Sequence, residues 1–488
     1  MPQQPLDVLQ QYFQFDSFRG AQEEIINRLV FSADGGDHCL VLMPTGGGKS
    51  LCYQVPALCF EGGTLVLSPL IALMQDQVDA LRRKNIPAAF INSTVSREDR
   101  ERRLEQFVQG RLKLLYVTPE RFRKPEFVEK IRTANIALLA VDEAHCISEW
   151  GHDFRPDYSR VGEFREWIGN PLTVALTATA TPEVQTDIVS KLHLQPEAVK
   201  LFHQGIERPN LRLEAQDVIS EEEKMAAIEY ALDAYPGSGI IYFSLIRSLE
   251  YYSELLKRKG IRHGIYHGKM EPPERKRVQR WFLEGENTLV LATNAFGMGI
   301  DKPNIRTVIH ADVTGSLEAY YQEIGRAGRD GAPSLCLLLF GQADLGTQME
   351  FIKWSNPQPH FYDRLYALLY GNAESVSAMG ADHLREQLNY KNRHDFRLET
   401  ALNMLDRYGV TEGTFGQGDF RLLGELPEVL LDEDHYQEKL RHDQTKLLSM
   451  VQYFRAEECR RVFIADYFGF PGEQPCGNCD CCDLNAAE

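Results

Sequence analysis

Long apolar runs are missing from this sequence, and no stretch approaches the roughly 18 residues that a membrane-spanning helix requires. The opening residues, MPQQPLDVLQQYF, also lack the basic segment and apolar stretch of a secretory signal, so we expect a soluble intracellular protein with no membrane partner. Basic residues are fewer than acidic ones, with 53 Lys and Arg against 70 Asp and Glu, which gives a net charge of −17. This balance argues against a nucleic-acid partner, although only the local surface of a binding site decides the question.

Cysteine is thinly spread until the last thirty residues. Five of the ten cysteines lie in apolar stretches, where a buried free thiol is the usual interpretation: Cys39, Cys52, Cys59, Cys146 and Cys336. The other five crowd together near the end: Cys459, Cys476, Cys479, Cys481 and Cys482. In an intracellular protein such a cluster indicates a metal site rather than disulfide bonds.

Short apolar segments rich in β-branched residues alternate with helical patterns over the first 340 residues. HCLVLM, TLVLSP, KLLYVT, ALLAVDE and TVALTA are typical of buried strands in a parallel sheet, and the series restarts with GIIYFS, RHGIYHG, TLVLAT, TVIHAD and CLLLF. The sequence therefore predicts an α/β fold with two tandem parallel-sheet domains, 1–205 and 206–340, joined near GIERPNLR. A connecting helix is expected over 341–356.

Residues 357–424 have a different pattern of predicted secondary structure, which begins with three helical segments. The stretch GVTEGTFGQGDFRLL follows them and predicts a strand, a tight turn and a second strand. This order is that of a winged-helix module, and a plain helical packing domain is the alternative. Lys391, Arg393 and Arg397 crowd the start of the third helix, about 395–408. Five of its residues recur at core spacing: Phe396, Leu398, Ala401, Leu402 and Leu405. A long amphipathic helix then opens a helical module, 430–488, that carries the cysteine cluster.

Residues 43–50, MPTGGGKS, are close to a phosphate-binding loop, although Met43 replaces the first glycine of the usual signature. The loop follows an apolar strand segment and precedes a helical one, which is the context that phosphate binding requires. Lys49 is expected to reach the β- and γ-phosphates, and the Ser50 hydroxyl to ligate Mg²⁺. Backbone N–H groups near the phosphates would come from Thr45, Gly46, Gly47 and Gly48.

VDEAH, residues 141–145, ends an apolar strand and supplies two adjacent carboxylates. We expect Asp142 to hold Mg²⁺ through water and Glu143 to polarise the attacking water. YYQEIGRAGRDG, residues 320–331, places Arg326 and Arg329 three residues apart, on one face of a predicted helix that points across the interdomain cleft. Arginines in such a position stabilise the transferring phosphoryl group and contribute roughly 10³–10⁵ in rate in related hydrolases. Together these motifs predict the ATP site of a two-domain nucleic-acid motor.

The chain resembles the RecQ family of superfamily 2 DNA helicases from about residue 9 to 355 and again from about 440 to 483. MPTGGGKSLCYQ, SPLIALMQDQ, TPER, AVDEAHCISEWGHDFRPDY, LTATA, ATNAFGMGIDKPN and YYQEIGRAGRDG follow the family's order and spacing. The resemblance implies two RecA-like domains and a helical zinc-binding module, and the winged-helix-like segment predicted from the residues 357–424 would lie between them. It also implies an enzyme that hydrolyses ATP, translocates 3′ to 5′ on single-stranded DNA and unwinds duplex DNA.

The resemblance assigns two further groups of residues. Residues 148–158 match the family's aromatic-rich loop, which couples DNA contact to hydrolysis through stacking worth roughly 1–3 kcal/mol per base. Its coupling residues here would be Trp150, His152, Phe154 and Arg155. The adenine pocket would use Phe15 to stack, Arg19 to cover the base and Gln22 to bond its edge. Phe15 stands where the family has tyrosine and Gln14 where it has glycine, so the loop geometry at Gln14 is open.

The cysteine cluster matches the family's zinc site at four positions: Cys459, Cys476, Cys479 and Cys482. Four thiolates at these spacings indicate a closed, tetrahedral structural site. Cys481 is an extra thiol that could compete for the metal, and Cys482 is favoured because it keeps the C-x-x-C geometry. In the best-known members the winged helix follows the zinc module, whereas here it precedes the module, which leaves its part in strand separation open.

Two alternatives to a DNA helicase remain at this point. An RNA helicase is the nearer one, although the WGHDFRP loop and the four-cysteine module favour DNA. A DNA-junction binder that unwinds little is the other, although it would not need the full set of catalytic residues. We expect ATP, Mg²⁺ and Zn²⁺ as cofactors, single-stranded and duplex DNA as partners, and a role in recombination, repair or replication-fork maintenance. The location would be the cytoplasm, at the nucleoid, in a bacterium and the nucleus otherwise.

Overall fold

The computed structural model describes residues 4–486 except 32–36, 45, 93, 152–154, 204–207, 298–299, 389–394, 414, 417–418 and 473. Thr45, His152 and Phe154, which the sequence places in functional sites, thus lie outside the described residues, as do Lys391 and Arg393. Among the described helices, none combines the length and the apolar character that crossing a bilayer requires.

The first domain contains a seven-stranded sheet with the order β3-β4-β2-β5-β6-β1-β7, and its pairings are parallel. The five predicted strands are present as β1, β2, β4, β5 and β6. The sequence analysis did not predict β3, or β7, whose half-exposed edge residues break the apolar run. The strands are β1 (His38–Leu42), β2 (Gly63–Leu67), β3 (Ala88–Ile91), β4 (Leu114–Val117), β5 (Ile136–Val141), β6 (Leu172–Thr177) and β7 (Val199–His203).

Helices cover both faces of this sheet, which is why its central strands are apolar throughout. They are α1 (Pro5–Val8), α2 (Gln22–Phe31), α3 (Leu51–Cys59), α4 (Ile71–Arg83), α5 (Arg97–Val108), α6 (Pro125–Ile131), α7 (Pro156–Ser159), α8 (Val161–Trp167) and α9 (Pro182–Lys191). A π-helical turn, Leu9–Phe13, continues α1.

The second domain repeats the plan with a six-stranded parallel sheet of order β10-β11-β9-β12-β13-β8. Its five predicted strands are present, and only the edge strand β8, LRLEAQD, was missed because alternate residues are charged. The elements are β8 (Leu211–Asp217), α10 (Glu221–Ala234), β9 (Ser238–Tyr242), α11 (Ile246–Arg258), β10 (Gly264–Tyr266), α12 (Pro272–Glu284), β11 (Leu289–Ala292), β12 (Ile305–His310), α13 (Leu317–Ile324) and β13 (Ser334–Phe340).

The expected connecting helix is α14 (Gln342–Ser355), and a separate small module with its own core follows it. The described part of this module has four helices rather than the predicted three, because Gly380, with φ +86°, separates α16 from α17. A two-residue antiparallel pairing then forms the predicted hairpin. The elements are α15 (Pro359–Leu369), α16 (Ala373–Met379), α17 (Ala381–Gln387), α18 (Arg397–Arg407), β14 (Thr411–Glu412) and β15 (Arg421–Leu422).

The helical module that carries the cysteine cluster consists of α19 (Glu433–Arg455), α20 (Arg460–Tyr467) and α21 (Asp480–Ala486). It packs against the second domain. Met450, Tyr453 and Phe454 of α19 share one hydrophobic cluster with the β-sheet of that domain. The cysteine segment also covers the open edge of β8 through hydrogen bonds to its backbone. Covering an edge strand in this way prevents pairing with other chains.

The winged-helix-like module contacts the first domain through the C-terminal end of α18. Arg123 donates to the carbonyl oxygens of Asp406, at 2.8 Å, and of Arg407, and it forms a forked ion pair with Asp157. Lys124 and Glu412 form an ion pair at 2.9 Å beside it. A guanidinium at a helix C-terminus satisfies open carbonyl groups and interacts favourably with the helix dipole.

Candidate nucleotide site and DNA-coupling loop

The phosphate loop connects the end of β1 to the start of α3. Gly46 and Gly48 have φ angles of +85° and +80°, which side chains other than glycine rarely adopt. A methyl group at Gly47 would lie 3.0 Å from a carbonyl oxygen of the same loop. Met43, in contrast, extends β1, because its N–H bonds to the Thr177 carbonyl at 3.0 Å and its side chain is buried in the core. The loop therefore needs its glycines only after position 43.

Gln22 links the expected adenine pocket to the phosphate loop. Its Nε2 donates to the carbonyl oxygens of Gly47 and Gly48, both at 3.2 Å, and its Oε1 accepts from the Arg19 backbone N–H at 3.0 Å. The Arg19 guanidinium carbon lies 6.0 Å from the centre of the half-exposed Phe15 ring. The three residues expected around adenine are thus neighbours. Bonding of Gln22 to the base edge stays a prediction, because the amide already has partners in the protein.

Gln14 occupies the left-handed region, with φ +61° and ψ +35°. This conformation costs a residue with a side chain roughly 1–2 kcal/mol and costs glycine almost nothing. The glycine usual at this position in the family therefore has a backbone reason, and here the turn keeps its shape with glutamine in place.

Asp142 is a buried carboxyl group at the end of β5, beside the phosphate loop. Burial, together with the charge of Glu143, raises the pKa of Asp142 to about 7, against the opposing effects of Lys49 and of the hydrogen bond from the Glu143 N–H. Lys49 itself donates to the Met43 carbonyl oxygen at 3.2 Å. A pair of carboxylates with so little compensating positive charge is a donor set that fits a hard divalent cation.

Glu143 lies in the left-handed region, with φ +48°, where the chain leaves β5 for the short 3₁₀ helix Ala144–Ile147. Its Oε2 is 3.4 Å from Nδ1 of the buried His145. The same ring nitrogen lies 3.0 Å from the Thr177 hydroxyl, in the LTATA motif. These contacts connect the DEAH segment to the end of β6.

Arg326 and Arg329 do not lie on a helix, which corrects the expectation from their spacing. α13 ends at Ile324, and the chain continues in turns, in which Gly328 takes φ +52° and its N–H bonds to the Ile305 carbonyl oxygen. The two arginines therefore reach the interdomain cleft from a turn segment rather than from one helical face.

Arg329 nevertheless lies directly across the cleft from the phosphate loop. A methyl group at Gly46 would be 3.2 Å from its Cγ, while its Nη1 forms an ion pair with Asp301 at 2.6 Å. Burial lowers the pKa of Arg329 from its ordinary value. Arg326 is 5% exposed and donates to the Gly297 carbonyl oxygen. The structure thus brings Arg329 next to the phosphate loop, whereas Arg326 lines a separate cleft.

A cleft of about 770 Å³ opens where the two motor domains, α14, α18 and α19 meet. Glu143 and Arg155 line it from the first domain and Arg326 from the second. Tyr408, after α18, and Lys446, on α19, complete the walls. Glu143, Arg326 and the end of the aromatic-rich loop therefore line one cleft.

The aromatic-rich loop, residues 148–158, is described at both of its ends. Trp150 is partly buried and packs against the core of the first domain. The Arg155 guanidinium donates to the Pro69 carbonyl oxygen at 3.0 Å, which joins the loop to the SPLIALMQDQ segment. Arg155 thus links the loop to this segment, and its backbone N–H bonds to the Cys146 carbonyl oxygen, next to the DEAH segment, at 3.1 Å.

Residues of α19 also contact this loop, and the sequence reasoning missed them. His442, Lys446 and His435 recur at positions that share one face of a helix, which is the only sequence signal they give. Their contacts are His442 Nε2 to the Trp150 carbonyl oxygen at 3.2 Å, Lys446 Nζ to the Gly151 carbonyl oxygen at 3.3 Å, and His435 Nε2 to Glu149 Oε2 at 3.3 Å.

The four predicted zinc ligands converge, with one sulfur from each of Cys459, Cys476, Cys479 and Cys482 and all four within 4.8 Å of one another. Two of the sulfur pairs are 4.0 Å apart. Tetrahedral Zn²⁺ with Zn–S bonds of about 2.3 Å places its sulfurs roughly 3.8 Å apart, so the residues fit this metal. Cys481 points away, and its Sγ lies 3.4 Å from the Ala456 carbonyl oxygen.

The expected basic cluster at the start of α18 is partly neutralised. Arg397 forms a forked ion pair with Asp395 at 2.8 Å and lies over the Phe361 ring. Phe396 is another correction, since it is 39% exposed, precedes the helix and contacts Trp354 of α14 instead of the module core. The remaining predicted core residues of α18 are buried or packed against that core.

Comparison with protein families finds three matches along the chain. The DEAD/DEAH box helicase family matches residues 19–188, and the helicase conserved C-terminal domain matches residues 223–331. The RecQ zinc-binding family matches residues 419–483. These matches cover both motor domains and the four-cysteine module.

Two curated bacterial proteins are similar over nearly the whole chain. The chain is 39% identical to the ATP-dependent DNA helicase RecQ of Bacillus subtilis, over 98% of this chain and 67% of that protein. It is 36% identical to the ATP-dependent DNA helicase RecQ of Synechocystis, over 98% of this chain and 97% of that protein. Identity at this level over nearly full length identifies the family.

Among solved structures, the fold is shared with other helicases. The helicase MrfA bound to DNA has a TM-score of 0.57 at 17% identity, covering 87% of this chain and 63% of that chain. Dbp5 of S. cerevisiae bound to RNA and ADP BeF3 has a TM-score of 0.54 at 17% identity, covering 71% of this chain and 90% of that chain. These likenesses support the two-domain architecture.

Proposed function

Because the chain belongs to the RecQ family of ATP-dependent DNA helicases, we propose that it moves 3′ to 5′ on single-stranded DNA and unwinds duplex DNA. The observation that carries this proposal is the approach of Arg329, from the second domain, to Gly46 of the phosphate loop on the first. An arginine placed across the cleft makes hydrolysis depend on the relative position of the domains, which is what a stepping motor requires.

At the nucleotide site, Lys49 and the glycine backbone are the groups that would bind the phosphates, and Ser50 and Asp142 would hold Mg²⁺. The bound cation would neutralise charge that develops on the phosphoryl oxygens. Asp142 would hold the cation in its deprotonated form, and Glu143 would orient the attacking water. Phe15 and Arg19 would enclose the adenine from opposite sides.

We further propose the cellular setting and the role of the accessory modules. The relatives matched over nearly full length are bacterial, which favours a cytoplasmic enzyme at the nucleoid that acts in recombination, repair or fork maintenance. The segment 357–424 would be a winged-helix module that contacts duplex DNA. The C-terminal end of α18 is docked on the first domain, and its N-terminal end, which follows Lys391 and Arg393 in the sequence, would meet phosphates.

A strand-displacement assay tests the main proposal, using DNA and RNA duplexes with either a 3′ or a 5′ single-stranded tail. We expect unwinding of the 3′-tailed DNA duplex with ATP and Mg²⁺. Lys49→Ala should abolish hydrolysis and unwinding while leaving DNA binding largely intact, because Lys49 lies in the phosphate loop. Lys257→Ala is the matched control, since this exposed lysine on α11 pairs only with Glu254 among the described residues. Unwinding of 5′-tailed DNA or of RNA alone would contradict the proposal.

A further inference from the structure

We propose that His442 on α19 is a positioning residue that holds Trp150 of the aromatic-rich loop in a restrained position, from which single-stranded DNA must release it. This inference rests on the proposed function, because it concerns how DNA reaches the same motor. It assigns a coupling role to a helix outside both motor domains.

The contact has two independent parts. His442 Nε2 lies 3.2 Å from the Trp150 carbonyl oxygen, and the two rings are 5.0 Å apart between centres with an interplanar angle of 50°. One side chain therefore fixes both the backbone and the ring of the residue that is expected to stack on DNA bases. Lys446, one turn further along α19, bonds to the next carbonyl group, that of Gly151.

The charges around His442 support a neutral ring that donates from Nε2. Burial is the main cause that lowers the pKa of His442, followed by the charge of Lys446. Glu183 and Asp443 also face this ring and oppose the change. An imidazole with a proton on Nε2 donates a hydrogen bond to a carbonyl oxygen whether the ring is neutral or charged. The contact with Trp150 is thus a hydrogen bond and a ring contact, while Nδ1 of the same ring lies 3.9 Å from Glu183 Oε2.

Stacking on DNA and packing on His442 compete for the same indole ring. The Trp150 ring packs against the core of the first domain and against His442, and its residue is only partly exposed. A base that stacks on the ring must displace one of these neighbours, and His442 is the one outside the core. DNA binding therefore has to break the α19 contact, which lowers the apparent affinity for DNA.

The expected size of the change in apparent DNA affinity follows from the free energy of the hydrogen bond that is lost. A hydrogen bond of this kind shifts an equilibrium by roughly 2- to 12-fold in net terms. Removing it in His442→Ala should therefore lower the single-strand concentration for half-maximal ATP hydrolysis by roughly this factor. His442→Asn should behave like alanine because its shorter amide cannot reach the carbonyl group. His442→Gln should stay close to wild type, because its Nε2 can take the place of the imidazole Nε2.

The test titrates the full-length protein with oligo-dT and measures ATP hydrolysis, with folding of each variant checked by thermal melting. Gln444→Ala, an exposed neutral residue of the same helix, is the matched control and should leave the titration unchanged. The asparagine variant keeps the inference testable if the alanine variant does not fold. An unchanged or higher half-saturating concentration in the alanine and asparagine variants would overturn it, as would a loss confined to the saturated rate. Wild-type hydrolysis that oligo-dT does not stimulate would refute the proposed function instead.

Discussion

Asp142 should destabilise the protein in the absence of a cation, and replacing it with asparagine should reveal by how much. Its carboxyl group is buried at the end of β5, where burial and the neighbouring Glu143 carboxylate penalise ionisation. Asparagine has nearly the same shape and no charge. We therefore expect Asp142→Asn to raise the melting temperature of the first domain when neither Mg²⁺ nor nucleotide is present.

The pKa of Asp142 sets the magnitude and the pH window. It rises from 3.8 to about 7, a change of about three units, which corresponds to roughly 4 kcal/mol as an upper bound at 1.36 kcal/mol per unit. Below about pH 3 the carboxyl group is protonated in both the folded and the unfolded states, so the penalty is absent. As pH rises from 4 to 7 the unfolded state alone releases the proton, and wild-type stability falls. The variant should therefore gain up to about 10 °C at pH 8 and almost nothing at pH 4.

Calorimetric melting at pH 4, 5, 6, 7 and 8 in EDTA would measure this gain. Asp7→Asn is the matched control, because Asp7 is an exposed carboxylate of the same domain. Glu143→Gln should reproduce part of the gain, since its charge is the second cause of the raised Asp142 pKa. With Mg²⁺ and a non-hydrolysable ATP analogue the order should reverse, because only wild type retains the carboxylate for the cation. A difference that is the same at pH 5 and pH 8 would refute the reasoning.

Three further predictions concern the loop, the metal and the docked module. Trp150→Ala should lower DNA-stimulated ATP hydrolysis more than unstimulated hydrolysis, and equal stimulation by single strand would reduce this residue to core packing. Metal analysis should give one zinc per chain, which Cys482→Ser loses and Cys481→Ser keeps, because only the former belongs to the group of four sulfurs. Arg123→Ala should cost roughly 3–5 kcal/mol by leaving the buried Asp157 carboxylate unpaired, and should make residues 357–424 more sensitive to proteolysis. Unchanged melting of this last variant would contradict its docking role.

The sequence was sufficient for the central strands and for the edge strand β10, and insufficient for the other edge strands, β3, β7 and β8. A strand with helices on both faces must be apolar along its whole length, so TLVL or LLAV predicts a parallel strand without reference to its neighbours. Edge strands have one open side, so β7 and β8 mix charged with apolar residues and lose that signal. The extra helix break at Gly380 was missed for another reason, since a glycine within a helical pattern does not tell by itself whether the helix ends there.

The residues of the candidate site also divide into those that the sequence predicts and those that only the structure shows. Lys49, Asp142 and the four cysteines could be predicted because their expected chemistry requires a fixed spacing along the chain, and the structure brings the four sulfurs together. The helical placement of Arg326 and Arg329 was wrong, because a three-residue spacing suits a turn as well as a helix. His442 and Arg123 were missed because each acts on a segment hundreds of residues away in the sequence. Only the folded chain shows that these polar residues have such partners.

α19 offers a physical route between the two motor domains. Its 23 residues span roughly 35 Å, at 1.5 Å per residue. The C-terminal half is packed into the core of the second domain through Met450 and Tyr453, while His442, nearer the N-terminus, contacts the loop on the first domain. A helix of this kind moves as a unit with the domain that buries it. We therefore expect rotation of the second domain toward the phosphate loop to move His442 relative to Trp150, which would couple domain closure to release of the loop.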